Sequence, residues 1–242
     1  MKETGKEKSR DASVTVGELV AEDYRIAGVF EKVGIDFCCG GKVALSEACR
    51  EKGVSPDDIL HQIEAVKSAP LDRGQDYSSW TLSFLADYIV NTHHAYLREN
   101  MEQIAAYARK VAGVHGANHP EVVDISKIFD KIVTDMSAHL REEEEVFFPA
   151  VKRIEAAVTD GAKPDAKDIA AIRDGLEKLV AEHEEIGDAI HEIRFLSKNY
   201  EIPGDACNTY MLTYRKLREF EDDLHRHVHL ENNILFPKAA AL

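Results

Sequence analysis

The chain has 242 residues, 44% of them hydrophobic, enough for one large domain or for a medium domain with a small one at about 150 residues per domain. No apolar run is long enough to span a bilayer, and 30 Lys and Arg against 44 Asp and Glu leave a net charge of −14, which repels a phosphate backbone and an anionic leaflet and excludes nucleic acid and membrane as expected partners. The start MKETGKEKSRDASV lacks an apolar signal region, and four cysteines, two of them adjacent, do not form the evenly spread framework of a disulfide-stapled domain; a cytoplasmic protein with free thiols is expected.

In chain order, residues 1–12 are almost wholly polar and are expected to fray. Residues 13–67 form a small module of short helical patterns punctuated by Gly34, Gly40-Gly41 and Gly53, with Ser55-Pro56 as N-cap and first-turn proline. The stretch SAPLDRGQDYSS (68–79) has the composition of a linker. Beyond it, over residues 80–240, four helical segments are separated by breaks at 113–121, 159–165 and 199–205. Each is about thirty residues or about 45 Å long, a length typical of bundle helices. No segment alternates with period two. The fold class is therefore all-α: an up-down-up-down four-helix bundle preceded by a small helical domain.

The bundle contains a repeat. The run His139-Leu-Arg-Glu-Glu143 through Phe148-Pro149 matches His227-Val-His-Leu-Glu231 through Phe236-Pro237 at a constant offset of 88 residues, and both read H-x3-E-x2-[VI]-[FL]-F-P. His94 and His183, 89 apart, nearly share the shift. Two helix hairpins, each with one His followed by His-x3-Glu, compose the bundle.

At about 100° per residue, positions i and i+4 lie only about 40° apart, so each His-x3-Glu presents an imidazole and a carboxylate from one face. That face is the apolar seam. In the second helix it runs through Ile125, Phe129, Ile132, Met136, His139, Glu143 and Val146. In the third it holds Ile172, Leu176, Leu179, His183, Ile186, Ile190 and Ile193, and in the fourth Phe220, Leu224, His227, Glu231 and Ile234. In the first helix the stripe Val111, Ala108, Ile104, Met101, Leu97 leads back to His94, Val90 and Asp87, with the adjacent His93 as a rival. His225 and His229 point away from His227, which repeat and stripe both favour.

Carboxylates and imidazoles facing a bundle interior lose hydration, at several kcal/mol for a lone buried carboxylate. Either they neutralise one another in a hydrogen-bonded network or they bind metal, and six such groups at duplicated positions favour metal. Nitrogen-rich donors suit iron, zinc or manganese rather than calcium or magnesium, and six are too many for one tetrahedral zinc. Two metals sharing bridging Glu143 and Glu231, each capped by two histidines, use all six. An added oxo or hydroxo bridge gives each iron five ligands and leaves one open position apiece. The Glu-x-x-His spacing of ferritin-like centres is absent, so a di-iron centre is expected.

These residues resemble the hemerythrin-like domain over about residues 80–240. Oxygen-carrying hemerythrins end in a His-x4-Asp pair and have a fifth histidine ligand; this chain departs on both counts, which argues against simple oxygen carriage. The module upstream carries Asp36-Phe37-Cys38-Cys39-Gly40-Gly41-Lys42, similar to the D-[FY]-C-C-G-G motif of the iron–sulfur cluster repair di-iron proteins, the family called RIC, ScdA or YtfE. The resemblance implies His94, His139, Glu143, His183, His227 and Glu231 as ligands of two iron ions. It implies a role in restoring iron–sulfur clusters after nitrosative or oxidative damage. Damaged iron–sulfur proteins and small diatomic ligands, NO and O2, are the expected partners, and a homodimer is left open. Nitric oxide reduction, or dioxygen or redox sensing, are the competing activities.

Cys38 and Cys39 are the candidate reactive residues. A disulfide between neighbours is strained, and a new helix expected near Lys42 places its N-terminal dipole and a cation where they lower a thiol pKa. Cys49 and Cys207 are assigned no role, His115 and His119 read as solvated loop residues, His61 and His191 as ordinary helix residues, and of Glu142 to Glu145 only Glu143 is expected to turn inward.

Overall fold

Thr15 starts the first helix with a capping box: its hydroxyl accepts the N–H of Glu18 at 3.2 Å, and the Glu18 carboxylate accepts the N–H of Thr15 at 2.9 Å. The structure, a computed structural model, describes residues 14–68 and 76–242; the fraying expected of residues 1–12, and residues 69–75 of the linker, lie outside the described residues. The described part is helical with no strand, only a single bridge between Thr15 and Ala44. Among the described residues no helix is long and apolar enough to cross a membrane.

The chain divides into two compact units, one of residues up to Thr81 with Val228–Ala241, the other of Leu82–His227. In the first, α1 (Val16–Glu22) passes through a 3-10 turn (Tyr24–Ile26) into α2 (Ala27–Val33). Gly34 ends α2 in the left-handed region at φ 70°, where a side chain is disfavoured. The loop that carries Cys38 and Cys39 follows. Then come α3 (Leu45–Lys52), ended by Gly53 at φ 67°, and α4 (Pro56–Lys67), capped by Ser55 with proline in its first turn. Val16, Ile26, Phe30, Leu45 and Ile59 are buried in this unit.

In the second unit, α5 (Leu82–Ile89), a π-helical turn (Val90–His94) and α6 (Ala95–His115) form one rod. The next consists of α7 (Glu121–Glu142), a π-helical turn (Glu143–Phe147) and α8 (Phe148–Thr159), and the third is α9 (Ala166–Leu196). The fourth is α10 (Asn208–His229); the π-helical turn (Leu230–Leu235) and α11 (Phe236–Ala240) that follow it in the chain belong to the first unit. Helix α6 packs on α7, α9 on α7 and α8, and α5 on α8. Phe129 of α7 meets Phe220 of α10 edge to face at 5.1 Å, completing an up-down-up-down bundle. Burying each such ring contributes about 1.5–3 kcal/mol. Glu155 of α8 accepts the N–H groups of Leu82 and Ser83 at 2.7 and 2.8 Å, satisfying donors that a helix start leaves open.

The π turns correct the seam. Each inserts one residue into the helical count, so beyond Glu143 the buried position passes to Phe147, and Val146 is 49% exposed. Before His94 the stripe likewise continues through Ile89, Ala86 and Leu85, while Asp87 is exposed and Val90 only part-buried.

Candidate metal centre

The second unit brings four seam histidines together, each at most 2% exposed. His94 ends the first π turn, His139 stands near the end of α7, His183 in mid α9 and His227 near the end of α10. The Nε2 atoms of His94 and His227 are 3.1 Å apart, and those of His139 and His183 3.0 Å. Glu143, fully buried, lies between the pairs. Its Oε2 is 3.4 Å from His94 Nε2, and its Oε1 is 3.3 Å from His139 Nε2 and 4.0 Å from His183 Nε2. Thus the two carboxylate oxygens face different imidazole pairs. His94, Glu143 and His227 offer ligand atoms within 4.8 Å of one another, and so do His139, Glu143 and His183.

These separations fit metal ions. Two nitrogens bound at about 2.1 Å and about 90° from one another stand about 3.0 Å apart. The donor set, imidazole nitrogen with carboxylate in an apolar wall, is that of a transition metal.

Two carboxylates unforeseen as site residues orient this set. His94 Nδ1 donates to Glu144 Oε1 at 2.7 Å, and that oxygen also takes the Arg98 guanidinium. His139 Nδ1 donates to Glu182 Oε2 at 2.8 Å, a bond that holds the Glu182 carboxyl below its usual range against the opposing effect of burial. A carboxylate on Nδ1 leaves the Nε2 lone pair aimed inward. Their trace in the sequence is adjacency, Glu144 beside Glu143 and Glu182 beside His183. The expectation that Glu143 alone of its acidic run turns inward is corrected accordingly: Glu144 is only part-buried, yet it points to His94. His93, also buried, donates from Nδ1 to Asp223 at 2.9 Å and stacks on His227 at 5.9 Å, behind the cluster rather than in it.

The repeat's second half differs. Glu231, fully buried, stands four residues after His227 in the π turn that follows α10 in the chain. Where the first half has Glu144 and Glu145, the second has Asn232 and Asn233. In the first unit these donate to the carbonyls of Cys38 at 3.4 Å and Phe37 at 2.9 Å. A Cβ on Gly41 would stand 2.5 Å from Asn233 Oδ1 and 2.7 Å from the Phe37 carbonyl oxygen, so the second glycine of the motif is the space that the carboxamide occupies. His229, buried against Tyr24 and Phe37, accepts from Asn233 at Nδ1, and burial pulls its imidazole down to about 3.

Among the described residues no cysteine is in a disulfide. The expected thiol activation of Cys38 is overturned. Helix α3 begins only at Leu45, beyond the Lys42 expected to start it. The Cys38 thiol is pushed up by its contact with Cys39, then by burial, then by the charges of Cys39 and Asp36. Cys38 Sγ donates to Asp36 Oδ1 at 3.1 Å and lies 3.9 Å from Cys39 Sγ. Asp36, Cys38 and Cys39 offer ligand atoms within 4.8 Å of one another.

At the other end of the bundle, His115 Nε2 lies 3.2 Å from Cys207 Sγ, and His119 bridges Asp205 and Glu121 at 3.0 and 3.2 Å. These two histidines are therefore partnered rather than merely solvated.

The chain resembles known proteins along most of its length. Residues 12–67 match the family model ScdA_N, a domain of unknown function, and residues 85–239 match the hemerythrin HHE cation binding domain. The iron-sulfur cluster repair protein ScdA of Staphylococcus haemolyticus is 32% identical over 92% of this chain and 96% of its own. The iron-sulfur cluster repair proteins YtfE of Escherichia coli and Salmonella typhimurium are each 30% identical over 93% of this chain and 96% of theirs.

Proposed function

The chain belongs to the ScdA/YtfE family of iron–sulfur cluster repair proteins, and on that premise we propose that it is a di-iron protein that restores damaged clusters with iron held by His94, His139, Glu143, His183, His227 and Glu231. The observation that carries this reading is Glu143, whose two oxygens address two separate imidazole pairs, the disposition of a bridging carboxylate. Glu231, buried and four residues after His227, would offer a second carboxylate to the metal by the same His-x3-Glu spacing.

Iron bound there supplies Lewis acidity and one-electron redox chemistry. The chain holds the His94 and His139 protons on Nδ1 through Glu144 and Glu182. Apolar neighbours keep bulk water out: Phe148 stacks on His94 at 5.7 Å. Asp36, Cys38 and Cys39 form a separate thiol and carboxylate group that would receive iron as cargo, the protonated Cys38 giving up its proton to Asp36 or solvent as it ligates.

The test is transfer. Full-length protein loaded with iron is incubated anaerobically with a nitric-oxide-damaged [4Fe–4S] enzyme, and recovered activity is followed with iron counted on both proteins. Recovery with matching loss of iron from this chain is expected, slowed in the Cys38→Ala/Cys39→Ala variant. No recovery, or steady turnover of nitric oxide to nitrous oxide with iron retained, overturns the reading in favour of an enzyme.

A further inference from the structure

A second donor set lies on the face of α10 turned away from the seam. His191 of α9 with Glu221 and His225 of α10 offer ligand atoms all within 4.8 Å of one another. Glu221 and His225 stand at i and i+4, the spacing of the inner pairs with the order of the two residue types reversed, and the His191 ring crosses from α9 to 6.0 Å from that of His225. Glu221 is 1% exposed and His225 8%, while His191 is part-exposed and gives the group an opening to solvent. At about 100° per residue, His225 and His227 point about 160° apart around the helix, so this group shares no donor with the inner one.

A carboxylate this deep is costly unless matched. Its counter-charge is Arg194, with Nη2 2.7 Å from Glu221 Oε1. The match is imperfect: the buried Nε of Arg194 and Oε1 of Glu221 make no aligned hydrogen bond. Burial accordingly pushes the Glu221 carboxyl above its usual range, against the pull of Arg194. The Arg194 side chain is 37% exposed, able to swing into water if another cation takes its place. Two imidazoles and one carboxylate with open positions are the ligand set of a mononuclear divalent transition metal.

We propose that His191, Glu221 and His225 form a separate mononuclear site for a divalent first-row transition-metal ion, in exchange with solvent and in competition with the Arg194 guanidinium. The site stands whether or not the inner centre is binuclear. It binds more weakly than the inner donors, because the ion must displace an existing ion pair.

Metal-free full-length protein titrated with Co2+, by equilibrium dialysis and d–d absorption, tests it. The wild type is expected to take up one ion more than the His191→Ala and Glu221→Gln variants, whose tight-binding component is unchanged. Arg194→Gln is expected to bind that weaker ion several-fold tighter. Equal uptake by wild type and both variants overturns the outer site and leaves the inner reading intact. A single ion in the wild type that is lost in both variants upholds the outer site and overturns the inner one. Retained fold is checked by circular dichroism, and if one variant unfolds the other decides.

Discussion

The Nε2 atoms of His94 and His227 stand 3.1 Å apart although 133 residues of chain separate them. His139 and His183 repeat the relationship at 3.0 Å, and Glu143 turns one oxygen to each pair. An arrangement built to hold cations is a poor arrangement for an apolar core, and the two demands separate experimentally.

Glu143→Leu tests that separation. Replacing a buried ionised group by a packed apolar one is often neutral or stabilising, by about 1–4 kcal/mol. The metal-free variant is expected to unfold in urea at or above the wild-type midpoint, while metal content after expression in iron-rich medium falls to under half that of wild type. A variant that keeps full metal content removes Glu143 from the centre.

Glu144→Gln and Glu182→Gln keep size and fold but weaken the acceptors that orient His94 and His139. Loss of such partners lowers metal affinity by about 10–100-fold. Competition against a chelator measures it, and an unchanged affinity in both variants would show that the imidazoles need no external alignment.

Gly41→Ala and Gly28→Ala form a contrast within one module. A Cβ on Gly41 would overlap the Asn233 carboxamide and the Phe37 carbonyl, whereas one on Gly28, inside α2, meets nothing within 4 Å. Overpacking costs about 1–3 kcal/mol, while Gly→Ala at an unstrained helical site stabilises by about 0.4–1 kcal/mol. Thermal unfolding is expected to shift down for the first and up for the second.

Cys207 is the cysteine expected to react first. It is exposed, and the N–H of Tyr210, with His115 next in effect, pulls its thiol down to about 7, whereas the contact with Cys39 and then burial push Cys38 up and burial pushes Cys49 up. The thiolate is the reactive form, so alkylation of Cys207 by iodoacetamide should climb through a midpoint near pH 7 and level off above it. In His115→Ala the midpoint should move upward. Peptide mass mapping assigns the site, and a midpoint that does not move excludes His115 as a partner.

Much of the bundle was legible in the chain because helix periodicity is local: an imidazole and a carboxylate four apart share a face whatever surrounds them, and the 88-residue offset shows the face was duplicated. The stripe also put His94 rather than His93 on the seam, and the structure sets His93 behind it against Asp223. The π turns at Val90–His94 and Glu143–Phe147 escaped periodicity. They insert a residue where packing around the donors demands it, and no residue type announces them, so Val146 and Asp87 were misplaced. His191 and Cys207 looked ordinary because their partners, Glu221 and His225 for the one and His115 for the other, lie on other helices.

The order of residues alone puts four imidazoles and two carboxylates on the apolar faces of two helix hairpins, since rotation per residue and hydrophobic burial act within each segment. The assembled fold alone sets Glu143 with one oxygen toward each imidazole pair, Glu144 and Glu182 on His94 and His139, and Cys39 and burial around Cys38 so that its thiol is pushed up rather than down. Those outcomes depend on distances between atoms far apart in the chain, and burial and hydrogen bonding reach a side chain only once its neighbours are assembled around it.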